Sequence, residues 1–357
     1  MVSGSEVSDR RLVRNVLNNY INQMKKLSIS IALLFAVGSL FAQNKTGYHV
    51  AKSFPIKSSG GYDYITVDSA SDNLYVSHGS QVNVISKTTG DSIGVIKTTK
   101  DVHGIALVLD LGKGYITNGG NNCVVVFDLK TNKVLGTVPT GQFADGIFYD
   151  SFSKKVISCN GRSKNMTVID PTNDSAVATI QLTGWPEAAT SDGKGKIYVN
   201  NAEKSEIDVI DATTFKVVNS WPIAPAKGPS GLAMDRSSMR LFAGCDNKML
   251  AVIDANSGKV VTTVPIGDEC DAVGFDIKLK TVFSSNGDGT LTVIKEVSAN
   301  KFTVIQNAKT EEGARTHAVD QITHKLYLPT AKFKPKARGD FRPSTIPGTF
   351  KVLVVTK

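Results

Sequence analysis

The sequence predicts an all-β chain: a seven-bladed β-propeller with four-stranded antiparallel blades, its ring closed by the N-terminal strand pairing into the last blade. Three observations carry this. A phrase recurs seven times at a nearly constant spacing, each copy holds four strand signals, and the chain has one strand too many at its start and one too few at its end.

The phrase is a small residue, an apolar residue, one or two more, then aspartate. It occupies residues 64–68, 104–110, 146–150, 188–192, 231–235, 272–276 and 316–320. The aspartates Asp68, Asp110, Asp150, Asp192, Asp235, Asp276 and Asp320 lie 42, 40, 42, 43, 41 and 44 residues apart. That period suits a propeller blade better than the shorter repeat of a stacked-strand solenoid.

Within copy five, residues 231–235 read as strand a, 239–244 as b, 249–253 as c and 259–265 as d, separated by Ser, Asp, Asn and Gly turns. Strand c ends on a repeated Val-Ile-Asp at Asp170, Asp211 and Asp254, where the aspartate is expected to cap the next turn. The last copy supplies strands a, b and c and stops, while an orphan segment, residues 48–56, resembles a strand d. Joining the two removes the exposed sheet edges.

Composition agrees with this fold. The hydrophobic share is 41%, the charged share 20% and the mean hydropathy -0.07, with 31 glycines, values that exclude a polytopic membrane protein and a disordered chain. Met24, Lys25 and Lys26 precede a 14-residue uncharged run, residues 27–40, and then Ala42. That order is a positive n-region, an apolar h-region and a small residue before a cleavage point. The expected organisation is therefore an upstream extension or over-long start at 1–23, a signal peptide at 24–42 and one propeller at 43–357. The mature chain is expected to be exported to a periplasm or the extracellular space, without a transmembrane segment, as a monomer.

Residues 74–77, 114–118 and 197–200, with Tyr75, Tyr115 and Tyr198 at their heads, resemble the YVTN β-propeller repeat family, including its YncE-like group. The resemblance covers essentially the whole mature chain. It implies a secreted or surface propeller without established catalysis. One branch of the family is linked to DNA binding, and related propellers serve in cytochrome and lactonase contexts.

The residue before each phrase opens strand a, nearest the central channel. Around the ring it reads Asp63, His103, Asp145, Glu187, Ser230, Asp271 and Arg315. Such a rim suits a divalent cation, a small polar ligand or acid–base work; equally, the acids cap turns on a wet channel mouth. A second column at the end of strand b holds His78, Asn118, Asn160, Asn200, Asp246, Asn286 and Thr330. It reads as local turn chemistry, with His78 as its candidate ligand-binding member. Residues 329–348 form a long insertion carrying Lys332, Lys334, Lys336, Arg338 and Arg342 at net +4, two-thirds of the +6 left after cleavage. With Phe333 and Phe341 it could bind a polyanion or nucleic acid, or fold over the channel mouth with its aromatics buried. Cys123, Cys159, Cys245 and Cys270 have no zinc spacing. They leave open bridges Cys123–Cys159 and Cys245–Cys270, or four free thiols.

No nucleophile elbow, zinc-protease, P-loop or dinucleotide motif is present, and no motif requires a cofactor. The sequence thus supports a non-enzymatic exported binding or scaffold propeller that takes an unidentified protein or small molecule on the face of the d–a and b–c loops. Two other readings stand beside it. One is a metal-dependent lactonase- or lyase-like hydrolase with Asp63, Asp145, Glu187 and Asp271 as ligands and His103 as base. The other is polyanion binding through the basic loop.

Overall fold

The computed structural model describes Met24 and residues 47–97, 100–335 and 343–357; the expected upstream extension and signal peptide otherwise lie outside the described residues. The chain divides into Met1–Thr46 and Gly47–Lys357, and the second unit is the propeller. It comprises seven four-stranded sheets, each with its strands hydrogen-bonded in the order a, b, c, d. Blade one is Tyr62–Val67, Asn73–His78, Gln81–Ser86 and Ser92–Lys97. Blade seven is built from Ala318–Val319, Leu326–Thr330, Lys351–Thr356 and, as its outer strand, His49–Pro55. The closing pair is antiparallel, with His49 opposite Thr356 and Phe54 opposite Val352. No described helix is long and apolar enough to cross a membrane.

Burial follows strand position. In blade two the central strands Lys113–Asn118 and Cys123–Asp128 are almost wholly buried, whereas Val134–Pro139 at the outer edge buries one residue. Seven apolar clusters each fill one blade–blade interface. The seam between blades seven and one is packed by Phe54, Tyr62, Leu74, Tyr327 and Phe350. The repeat tyrosines are staples between blades. The hydroxyl of Tyr115 donates to Asp174 at 2.6 Å, that of Tyr198 to the Ala255 carbonyl at 3.2 Å and that of Tyr327 to the Lys87 carbonyl at 3.2 Å, each on the following blade's c–d turn.

The expected turn caps form. Asp128 accepts from the Thr131 amide at 2.7 Å, Asp211 from Thr214 at 2.8 Å and Asp254 from Asn256 at 2.8 Å. The phrase aspartates do the same on the other turns, as Asp192 does from Lys194 at 2.7 Å. Blade two departs from this: Asp110 lies in a 3₁₀ turn, Leu109–Leu111.

Candidate functional site

Each rim residue in the first six blades sits where the pairing of strands a and b slips. The ladder shifts between Tyr62 and Ile65, Val102 and Ile105, Ala144 and Ile147, Pro186 and Ala189, Pro229 and Gly231, and Cys270 and Ala272. A bulge leaves its residue unpaired and re-aims the side chain. Side chains of strand b hold these bulges through the backbone. Ser77 accepts from the Asp63 amide at 3.1 Å, Thr117 donates to the Asp145 carbonyl at 2.5 Å, and Asn200 donates to the Ser230 carbonyl at 2.8 Å. Two residues before the rim, Asp101, Phe143 and Glu269 take φ of 61°, 60° and 56°, a left-handed conformation that is uncommon for a bulky side chain such as Phe143.

The rim side chains form one linked constellation. His103 Nδ1 donates to Asp63 Oδ2 at 2.6 Å and lies 3.6 Å from Asp145, while its Nε2 lies 3.6 Å from Asp101. Arg315 donates from Nε to Asp271 at 2.5 Å, lies 3.6 Å from Asp63 and spans the ring of Tyr62 at 5.2 Å. Ser230 donates to the other oxygen of Asp271 at 2.9 Å. Glu187 joins through the fields of Asp145, Asp271 and Asp63. The narrow channel brings acids of blades one, three and six onto the same two cations.

Electrostatics sorts their charges. Burial works against the His103 cation, but Asp101, Asp63 and Asp145 outweigh it and raise its pKa to about 11. Burial likewise opposes the Arg315 charge, and Asp271 and Asp63 more than restore it. Glu187 is pushed well above the carboxylate range, first by burial and then by Asp145, Asp271 and Asp63, which favours its protonated form. Asp63, His103 and Asp145 can bring three ligating atoms within 4.8 Å of one another. The carboxylates around His103 favour its protonated form, in which both ring nitrogens donate and no lone pair is offered to a proton.

Tyr64 was missed by the sequence reading. Its hydroxyl is shielded from solvent, has no hydrogen-bond partner among the described residues and stands in the fields of Glu187, Asp145, Asp63 and Asp271, carboxyls from blades four, three, one and six. The signal was present: the residue after the rim is Gly104, Gly146, Ala188, Gly231, Ala272 and Thr316 elsewhere, and Tyr64 alone is bulky. Crowding at the axis explains the small residues, since a Cβ on Gly146 would stand 2.4 Å from the Glu187 carbonyl.

Above the rim on blades four to seven opens a cavity of about 920 Å³. Five carboxyl groups line it, Glu187, Asp246, Glu269, Asp271 and Glu312, against the cations Arg315 and Lys334. Phe333, Pro335 and Pro343 of the insertion wall it, with Pro229. The stem of the insertion folds back on itself, with Lys334 donating to the Ser344 carbonyl at 2.9 Å and Ile346 to that of Lys332 at 2.7 Å. Phe333 packs into the seam core, its ring 6.4 Å from that of Tyr62. Lys336, Arg338, Phe341 and Arg342 lie outside the described residues.

One expectation is corrected, and one alternative left open is decided. His78 does not face the channel ligand space. It is buried in the seam, bonded to Ser58 at 2.5 Å and to the Gly60 carbonyl at 3.1 Å and stacked on Phe350 at 3.7 Å, and burial lowers its pKa to about 4. All four cysteines are free, so neither bridge forms. Cys123 packs between blades one and two and Cys159 between blades three and four. Cys270 lies over Gly244 in the core between blades five and six, whereas Cys245 points into the core between blades four and five, as alternation along a strand requires. Two asparagines of the b-end column bond across strands rather than to their own backbone, Asn160 to Thr167 at 2.9 Å and Asn286 to Thr292 at 3.2 Å.

No family model matches the chain. It is 22% identical over 194 residues to the uncharacterized protein YncE of Salmonella typhi and of Salmonella typhimurium, a match covering 52% of this chain and 54% of theirs. The chain thus spans about half the length of the curated relatives it matches. Among solved structures it is similar to hydrazine synthase of Kuenenia stuttgartiensis at a TM-score of 0.67 and 14% identity, covering 81% of this chain and 95% of that one. It is also similar to U3-55K, at 0.73 and 9% over 86% and 99% of the two chains, and to the WD40 repeats of RRP9, at 0.72 and 9% over 85% and 97%. These likenesses show the fold. The weak similarity and the seven blades fit a YncE-like propeller family, and with it a binding or scaffold role.

Proposed function

We propose that this chain is an exported binding propeller whose ligand is an organic cation, held in the cavity over blades four to seven. The observation that carries the reading is the imbalance of five carboxyl groups against two cations around a cavity of about 920 Å³. Its volume falls in the range of small-molecule sites, and the proline and phenylalanine walls offer apolar contact to a carbon skeleton. Arg315 is already held by Asp271 and Asp63, leaving Lys334 as the cation that a ligand would meet. Calorimetry of the full chain against organic ammonium compounds, neutral polyols and organic anions tests this. Binding confined to the cations and weakened by salt is expected; selective binding of anions would overturn it.

Export rests on the order of Met24, Lys25, Lys26 and the apolar run before Ala42. Mass spectrometry of the mature protein should find Gln43 at its N-terminus. The polyanion reading has the weaker footing, because Lys334 of the basic loop lines a cavity dominated by acids. It predicts binding to duplex DNA that falls steeply with salt and is lost on neutralising Lys332, Lys334, Lys336, Arg338 and Arg342.

A further inference from the structure

The geometry points to a dedicated subsite for a primary ammonium group in the throat beneath the cavity, with the Tyr64 hydroxyl and Glu187 as its acceptors. This rests on the reading of the cavity as an organic-cation site and names the part that would select among cations. Glu187, Asp271 and Arg315 belong both to the cavity wall and to the rim network, which places the rim against the cavity.

Three observations converge there. Tyr64 places a large side chain in a column of small residues, and its hydroxyl reaches a point where carboxyls of four blades act on it. That hydroxyl is shielded from solvent and has no hydrogen-bond partner among the described residues, an arrangement that costs a folded protein stability when nothing fills it. The resident cations are turned to other work: His103 points Nδ1 at Asp63, and Arg315 directs its guanidinium to Asp271 and the Tyr62 carbonyl. The carboxyl groups of Asp63, Asp145, Asp271 and Glu187 outnumber the two cations of the rim, which favours a further positive charge there.

The chemistry favours ammonium over a metal ion. A metal needs lone pairs from several donors, and His103 gives Nδ1 to Asp63 while its Nε2 stands 3.6 Å from Asp101. An ammonium group brings three N–H donors and needs only acceptors, which the Tyr64 oxygen and the carboxyl of Glu187 supply. Entry of that charge favours the ionised form of Glu187, which then gives its proton to solvent. A second ammonium on the same ligand would meet Glu269 and Glu312 at the cavity mouth, with its methylene chain along Phe333 and Pro335. The shared chemistry is the primary amine, whether from a free polyamine or a lysine side chain.

Calorimetry of the full chain with spermidine, a tetralysine peptide and hexamethonium separates the cases. Spermidine or tetralysine should bind at least about tenfold more tightly than hexamethonium, which has charge but no N–H donor. Tyr64→Phe should weaken the preferred amine about tenfold and Glu187→Gln by at least as much, with unchanged melting curves showing that each variant folds. Binding in two buffers of different ionisation enthalpy should show proton release in the parent chain and none in Glu187→Gln. If hexamethonium binds as well as spermidine, or Tyr64→Phe binds unchanged because only a water fills the throat, the subsite is overturned and the cavity reading stands. If no organic cation binds, the cavity reading falls first. Zinc or calcium binding at the throat in preference to the amines would also overturn it.

Discussion

Two buried histidines, His78 at the seam and His103 in the throat, end in opposite states. His78 stacks on Phe350 and meets only a hydroxyl and a carbonyl, so burial drives its pKa down to about 4. His103 pays the same desolvation cost, yet Asp101, Asp63 and Asp145 raise it to about 11. The difference teaches that depth in the fold does not set charge; partners do. It also divides the molecule: the seam is a dry join that closes the ring, and the throat is a charged lattice held by bulges.

The seam should be the costlier to damage. Phe350→Ala removes a ring that contacts both His78 and Tyr62 and leaves a cavity at the closure, an expected loss of about 4 kcal/mol in unfolding free energy. Urea denaturation measures it; a loss under about 1 kcal/mol would mean that the join is not packed as described. In the throat, Asp63→Asn withdraws a charge from His103 and Arg315 together, which should cost about 3 kcal/mol and bring the His103 pKa down toward the ordinary range. Histidine titration by NMR reads the second effect directly, and an unshifted His103 would show that Asp63 is not its principal partner.

How much of this was legible follows the same division. The ring, the closing strand and the rim column were readable because repetition exposes them: seven aspartates in step define the blades, and one position before each phrase defines the rim. Repetition also misled. His78 stood out from a column shared with Asn118 and Asn200 and so read as a candidate ligand residue, although Phe350, far along the chain, decides its surroundings. The cysteines illustrate another limit. Closeness along neighbouring blades says nothing about which side of a sheet each thiol takes, and alternation sent Cys245 and Cys270 to different cores. Tyr64 was visible as a broken rule in the small-residue column, but its meaning needed the carboxyls of distant blades around it. The cavity needed the insertion stem in place.

A pH series sharpens the contrast, because the two regions lose stability in opposite directions. His78 titrates near 4 when folded against 6.5 when unfolded, so the unfolded chain takes up protons first on acidification. Its contribution is complete above pH 6.5 and is lost between 6.5 and 4. His103 runs the other way: its contribution is complete below 6.5 and is lost as pH rises toward 11. Replacing His78 by Phe keeps the stack on Phe350 and removes the titration. The acid-side decline should flatten by on the order of 2 kcal/mol while the alkaline side is unchanged. A variant curve that parallels the parent from pH 6.5 to 4 would remove the seam from the account.

The smallest effect should come from Asp101, and it tests whether the throat lattice is ordered by depth. Asp101 supports the His103 charge from 3.6 Å, but more than half of its side chain is exposed, whereas Asp63 sits at 2.6 Å and is largely enclosed. Solvent screens the outer contact, and exposed pairs at this distance are worth about 0.2–1 kcal/mol. Asp101→Asn should therefore lower the His103 pKa by less than about one unit, leave it charged at neutral pH and change stability by about 0.5 kcal/mol or less. The same NMR titration used for Asp63→Asn measures it. A drop as large as that caused by Asp63→Asn would show that the histidine takes its charge from the channel mouth rather than from the lattice below, and the ordering of the throat from Asp63 outward would have to be reversed.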